Sequence, residues 1–432
     1  MKQPRRPDAP PRKPRRRWRW HVPPAIVHGA EALEGTEILS EYTGELGLVL
    51  WQAVRDISLW SSVTPPENRA GLFGPNAGKR RAASIAAADP DAEIAPALAT
   101  VARILEDPAG TSTEQVMLAC REISQWADAR GTLATALSFA QAAAFACPGN
   151  AASGLRVGQI ARRRLEYARA ETWFRRTIGL ARQARDWASY AEAFLALGAL
   201  YMQRGNFPVA RQLFIRAYRA AKRHSLRNVL AGSLHNLFWT AVSSGQHDEA
   251  EALSRTTFEA YDPESPRVPA FAHDVAYFWV SRGQFAPALS VFQALLPHIN
   301  VPTERLAILG STARAAGGAG DQDRFDEVGP EIWKLIRGSE VGEQAAGVLT
   351  DLARGAASLG RWNEAEEAAK AAEELATEAG QAQVQITAQA ILDAVRHERR
   401  FETNVQAAET TSSVDGLATD LVRTLDEYAV VG

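Results

Sequence analysis

Two short strings 38 residues apart carry the same side-chain chemistry at the same spacing: His235-Asn236 with Trp239, and His273-Asp274 with Tyr277. An imidazole, an amide or carboxylate, and an aromatic ring three or four residues on combine directional hydrogen bonds with contact area that costs little side-chain entropy. Such a set suits recognition of a peptide backbone. The same rings can instead pack between helices, with the histidines hydrogen-bonded inside the fold. Glu251, Asp274 and Asp351 also recur at related helical positions and leave a paired acid/base arrangement open.

No catalytic set is completed elsewhere. The chain has no HExxH, no GxSxG and no compact Cys/His pair. Gly74-Pro75-Asn76-Ala77-Gly78-Lys79-Arg80 has one residue too few between its glycines for a phosphate loop, and Arg80 stands where a magnesium-binding hydroxyl belongs. Asp321-Gln322-Asp323-Arg324-Phe325-Asp326 begins like a calcium loop but lacks its glycine and its distal bidentate glutamate. Cys120 and Cys147 form no CxxC pair and lie at no zinc spacing, so they read as two small core residues of a reducing compartment. The expectation is a non-enzymatic, cytoplasmic chain with no catalytic residues, no cofactor and no metal.

A second chemistry-bearing string, Arg15-Arg16-Arg17-Trp18-Arg19-Trp20, interleaves cations with indoles. That composition can neutralise phosphates and stack on bases, settle on an anionic membrane surface, or dock on an acidic protein, this chain's own body included. The first 20 residues carry a charge of +8, so the formal −2 of the whole chain hides a −10 body. No apolar run of signal-peptide length follows the basic start, and Gln52, Arg55 and Asp56 break the most apolar stretch, Leu46 to Trp60. No transmembrane segment is expected. Trp51 and Trp60 exceed what one helix face needs to bury, which raises homo-oligomerisation through this helix.

The elements that must position these groups read as helices. Of the 432 residues 46% are hydrophobic and 23% charged, enough apolar material for an extended core. Residues 1–24, with seven prolines, predict a disordered basic tail. Residues 25–90 predict a helical element, a helix from about Thr36 to Val63 with Leu39, Tyr42, Leu46, Leu50, Val54 and Ile57 on one face, and then a Gly- and Ala-rich linker. Residues 91–400 read as helix after helix with short glycine turns and no alternating strand pattern. Residues 401–432 read as a polar tail followed by a short amphipathic helix from Leu417 to Val430, either docked or free.

Repetition organises the helical body. Gly131, Gly205, Gly245, Gly283 and Gly360 each precede an alanine by five residues, at Ala136, Ala210, Ala250, Ala288 and Ala365. Ala170 and Val328 extend this series to seven positions, 34 to 40 residues apart. The clearest copy sets Phe194, Leu197, Gly198 and Tyr201 before Ala210, Phe214 and Ala217. That pattern resembles the tetratricopeptide repeat, as do Val157, Gly158, Tyr167, Ala170 and Phe174 in one further copy and Leu352, Gly360, Trp362, Ala365 and Ala372 in another. The resemblance implies an all-α, right-handed α-solenoid of antiparallel helix hairpins, about seven repeats with caps at both ends. Small residues would let paired helices approach, and Phe174, Phe214 and Phe292 would fill the space between hairpins.

In that family the first helix of each hairpin lines a concave groove that binds extended peptides or partner helices. The resemblance therefore assigns His235, Asn236, Trp239, His273, Asp274 and Tyr277 to a partner-binding groove. It adds Arg156, Gln159 and Arg163 on the same side, to which an acidic segment could bind. The family's Lys/Asn carboxylate clamp is absent. The expected function is a scaffold or adaptor that binds a peptide or protein. The alternative is a signal-sensing regulator whose basic tail contacts nucleic acid or an anionic surface.

Overall fold

A computed structural model of the chain describes residues 35–338, 344–397 and 412–431. Among these residues every regular element is helical, and the fold is all-α, built from antiparallel helix hairpins. The chain divides into two compact units, the first ending at Val229 and the second beginning at Leu230. The first contains α1 (Ile38–Glu41), α2 (Gly44–Ser62), α3 (Ala77–Ala88), α4 (Ala95–Ala102), α5 (Thr113–Ala129), α6 (Leu133–Ala146), α7 (Ala151–Arg163), α8 (Tyr167–Ala184), α9 (Trp187–Gln203) and α10 (Phe207–Arg223). Helix α11 (Arg227–Ser243) begins at the boundary. It is followed by α12 (His247–Ala260), α13 (Val268–Ser281), α14 (Phe285–Leu295), α15 (Pro302–Ala319), α16 (Gln322–Gly338), α17 (Gln344–Ser358), α18 (Trp362–Glu378), α19 (Ala382–Arg396) and α20 (Ser412–Val431). No described helix is long and apolar enough to cross a membrane.

One turn chemistry closes the hairpins. Gly131, Gly205, Gly245, Gly283, Gly320 and Gly360 all adopt positive φ, between 69° and 78°, a conformation that strains any residue with a side chain. Each is followed by an amide that reaches back to the last full helical turn, as in Thr132 N–H to Ala127 O, Asn206 to Tyr201 and Arg361 to Ala356, all at 2.9–3.0 Å. The repeat ending in Ala170 lacks a turn glycine in sequence, yet it makes the same bonds. Leu165, 67% exposed, takes the left-handed position at φ 62°, and Glu166 N–H bonds Ala161 O.

Close approach of paired helices defines the core. Ala136, Ala170, Ala210, Ala250, Ala288 and Ala365 are fully buried. Phe174 lies over Gly158, and Phe214 over Gly198. A Cβ on either glycine would stand 2.5 Å from the ring, well inside van der Waals contact. In the second unit α15 and α17 cross backbone to backbone at Gly317 and Gly355.

The N-terminal part departs from the single long helix expected over Thr36 to Val63. The helix breaks at Tyr42-Thr43, and Gly44 at φ 71° restarts it as α2. The break releases two side chains to the first repeat. Glu41 accepts hydrogen bonds from the Ala134 and Thr135 amides (2.8 and 2.7 Å), so its carboxylate caps the N-terminus of α6. Thr132 makes no cap bond to that helix: its hydroxyl donates to Ala127 O (2.9 Å) and accepts from the Tyr42 hydroxyl (2.9 Å). The Tyr42 ring stacks on Trp126, centroids 5.1 Å apart.

Two further expectations change. The segment read as a linker forms α3, tied to α2 by the Arg81–Asp56 ion pair (2.6 Å), and Gly78 packs against Glu106. The last helix starts at Ser412, five residues before Leu417. Trp60 is fully buried, with its indole N–H donating to Pro108 O (2.7 Å) and the Arg69 guanidinium 4.0 Å above the ring. Of the two indoles that suggested self-association, Trp60 is thus used within the unit, while Trp51 is half-buried with the Arg55 guanidinium 5.0 Å from its ring.

Two outcomes test these contacts. Glu41→Gln keeps the shape but removes the charge and one of two acceptors, and should lower unfolding stability in urea by about 1–2 kcal/mol. Leu165→Gly should raise stability by about 0.5–1 kcal/mol, since relief of a left-handed leucine exceeds the added entropy of glycine in the unfolded chain. A fall in stability for Leu165→Gly would show that the exposed leucine holds a contact.

Candidate functional site

The repeated strings fall on α11 and α13, the first helices of two consecutive hairpins in the second unit. Their 38-residue offset brings the equivalent side chains together. His235 sits between two partners, its Nε2 2.9 Å from Asp274 Oδ2 and its Nδ1 2.9 Å from the Tyr261 hydroxyl. A carboxylate only accepts, so Nε2 carries the proton; in the neutral ring Nδ1 then accepts from the tyrosine O–H. Burial pushes the Tyr261 phenol up to about 12, aided by the Asp274 charge against the pull of Arg267, so the donor stays protonated. His273 Nδ1 lies 3.4 Å from the other Asp274 oxygen. Burial raises the Asp274 carboxyl, but the hydrogen bonds from His235 and His273 and the pull of the two imidazoles outweigh it and hold it below the usual carboxylate range.

This network spans the packed repeats and is largely satisfied from within. The His235 ring also meets the fully buried Phe271 edge-on at 5.0 Å. A phenol held neutral to about pH 12 is a hydrogen-bond donor and a poor nucleophile. Of the six residues assigned to a groove, His235 and Asp274 are thus occupied in joining repeats. The other four make fewer bonds. Asn236 donates to Gly232 O (2.7 Å), one turn back in its own helix. Trp239 and Tyr277 are both half-buried, with ring centroids 6.4 Å apart. His273 stacks on Tyr277 (6.3 Å), and its Nε2 has no hydrogen-bond partner.

Arg156, Gln159 and Arg163 lie on α7, in the first unit. Both arginines converge on Asp128 of α5: Arg156 is 2.6 Å from Oδ2, and Arg163 bonds Oδ1. Arg164 is likewise held by Glu166 (2.6 Å) and Glu37 (2.8 Å). These arginines therefore tie the first hairpins together, and Asp128 neutralises much of the charge that would attract an acidic segment. Gln159 is half-buried on the same helix. Residues Arg15, Arg16, Arg17, Trp18, Arg19 and Trp20 lie outside the described residues.

Tyr261 and Asp128 are the partners that sequence reasoning missed. Tyr261 stands just past α12, at no repeat position, so no spacing marks it. Asp128 does carry a signal, since it is the one acid in the last turn of α5 before the Gly131 turn. The metal-like string resolves as a helix start, where Asp321 caps α16 by accepting from Arg324 N–H (3.0 Å). No group of three or more potential metal-ligating side chains occurs among the described residues.

Asp274 gives a pH signature. Its carboxyl titrates lower in the folded chain than in the unfolded one, so it stabilises the fold above about pH 4 and that contribution disappears as the pH falls through the folded value. Urea unfolding at pH 7 and pH 3 should show a smaller loss between the two for Asp274→Asn than for the wild type. An equal loss would place the acid sensitivity elsewhere.

No protein-family model matches the chain, and no curated protein matches it. Solved structures do. A Rap protein complexed with competence and sporulation factor is 10% identical, with 85% of this chain and 100% of that chain covered and a TM-score of 0.44. BtubC from P. vanneervenii is 14% identical over 53% and 94%, with a TM-score of 0.41. The kinesin light chain TPR-like repeats of Podosopora anserina are 18% identical over 44% and 95%, with a TM-score of 0.37. At these scores the likeness adds no argument, and the fold assignment stands on the helices, turns and packing of the chain itself.

Proposed function

We propose that this chain is a non-enzymatic, cytoplasmic scaffold whose α11–α13 surface binds an extended segment of a partner protein. The observation that carries the reading is the pair of half-buried rings, Trp239 and Tyr277, set side by side on equivalent turns of neighbouring hairpins. They are flanked by Asn236, whose amide is bonded one turn back in its own helix, and by the His273 ring, which stacks on Tyr277. Below them, the Tyr261–His235–Asp274 bonds fix the spacing of the two helices, so the rings are pre-organised and little entropy is lost when a ligand docks. Rigid aromatic area beside directional polar groups is the composition of binding hot spots.

Panning a random linear peptide library on the full-length protein, followed by calorimetry with the enriched peptide, tests this reading. Trp239→Ala with Tyr277→Ala should weaken that peptide by about 30-fold or more, with the circular dichroism spectrum unchanged. Failure to enrich any consensus, or unchanged affinity in the folded double variant, would remove the assignment.

A further inference from the structure

Trp239 and Tyr277 are the first half of a longer row. Each stands six residues before the left-handed glycine that closes its hairpin, Gly245 and Gly283, and the same count back from Gly320 and Gly360 falls on Arg314 of α15 and Arg354 of α17. Four consecutive first helices of the second unit thus carry two aromatic rings and then two guanidiniums at one register, all partly buried. The α15–α17 crossing brings the two arginine stems together, because Gly317 and Gly355 let the backbones meet beside them. Both guanidiniums turn to one acid: Asp351 Oδ1 lies 3.5 Å from Arg314 and 3.7 Å from Arg354. These separations are long beside the 2.6 Å between Arg156 and Asp128. Asp351 and Asp274 share a register as well, nine residues before their glycines. On α13 that carboxylate meets two imidazoles, whereas on α17 it meets two permanent cations, and the trio keeps a charge of +1.

We infer that the segment bound on the α11–α13 rings is acidic: an apolar anchor sits on Trp239 and Tyr277, and an Asp or Glu side chain further along docks between Arg314 and Arg354. This rests on the proposed role of the aromatic surface and adds the chemistry of its partner. Guanidiniums hold carboxylates through paired, charge-assisted hydrogen bonds, so a second carboxylate beside Asp351 gives each arginine an acid of its own. The register also fixes a spacing. Packed helices lie about 8–10 Å apart and an extended chain advances about 3.3 Å per residue, so one or two hairpin steps place the acid roughly three to six residues from the anchor. Asp351 opposes the incoming charge, and its removal strengthens binding.

Calorimetry on the full-length protein tests this with synthetic peptides of the library consensus, acetylated and C-terminally amidated so that only side chains carry charge. Each is made with its Asp or Glu and with Asn or Gln in that place. The amide form should bind the wild type about tenfold or more weakly than the acidic form. Arg314→Gln with Arg354→Gln should bind both forms equally. Asp351→Asn should tighten the acidic peptide by about threefold or more and leave the amide peptide unchanged. If the double glutamine variant loses its circular dichroism spectrum, Asp351→Asn decides alone, since breaking a purely structural contact gives no reason for tighter binding. A consensus without an acid three to six residues from its anchor overturns the inference. Equal affinity of both forms for the wild type, a penalty that persists in the folded double glutamine variant, or no tightening by Asp351→Asn does the same. In each of these cases the aromatic reading stands as long as Trp239→Ala with Tyr277→Ala still weakens the peptide, and if that pair has no effect both readings fall.

Discussion

Everything in this fold depends on how closely two helices of one hairpin can approach. Fully buried alanines on the second helix, and glycines such as Gly158 and Gly198 on the first, leave room for one aromatic ring and for nothing larger. Phe174 and Phe214 occupy that room. Dispersion at such contacts is weak for each atom pair and large when summed over a buried ring. The short turns follow from the same constraint, because a left-handed residue closes the hairpin without separating the helices it joins.

Hairpins packed this way leave an uncovered face at each end, and the first unit shows how one is finished. Glu41, set free by the helix break, supplies the acceptors that the N-terminus of α6 lacks, and Tyr42 lays its ring on Trp126. The break costs part of a helical turn. It is offset by a charge-assisted cap and a stacked aromatic pair, both aimed at the first repeat.

The polar groups follow the packing. Histidines and arginines that a linear reading aims at a ligand are drawn toward the nearest acid across a hairpin boundary, because a half-buried polar group without a partner is costly. Asp128 gathers two arginines and Asp274 two histidines. The half-buried pair Trp239 and Tyr277 lies beside this satisfied network and takes no part in its hydrogen bonds.

The all-α class, the hairpins and the phase of the alanines were legible in the sequence, since they are set by residue size and by local spacing at fixed intervals. The turn glycines were legible for the same reason, and Leu165 escaped because a leucine can hold a left-handed turn when the surrounding hairpin forces it. The repeat of His, acid or amide, and aromatic between α11 and α13 was legible as a pattern, but its role was not. Whether an imidazole faces a ligand or a carboxylate depends on what lies across the interface, and Tyr261 comes from a turn with no repeat position. Only the tertiary structure could decide that, as it decided the helix break at Tyr42 and the docking of α20. Each of these depends on partners dozens to well over a hundred residues away, and spacing along the chain carries no information about them.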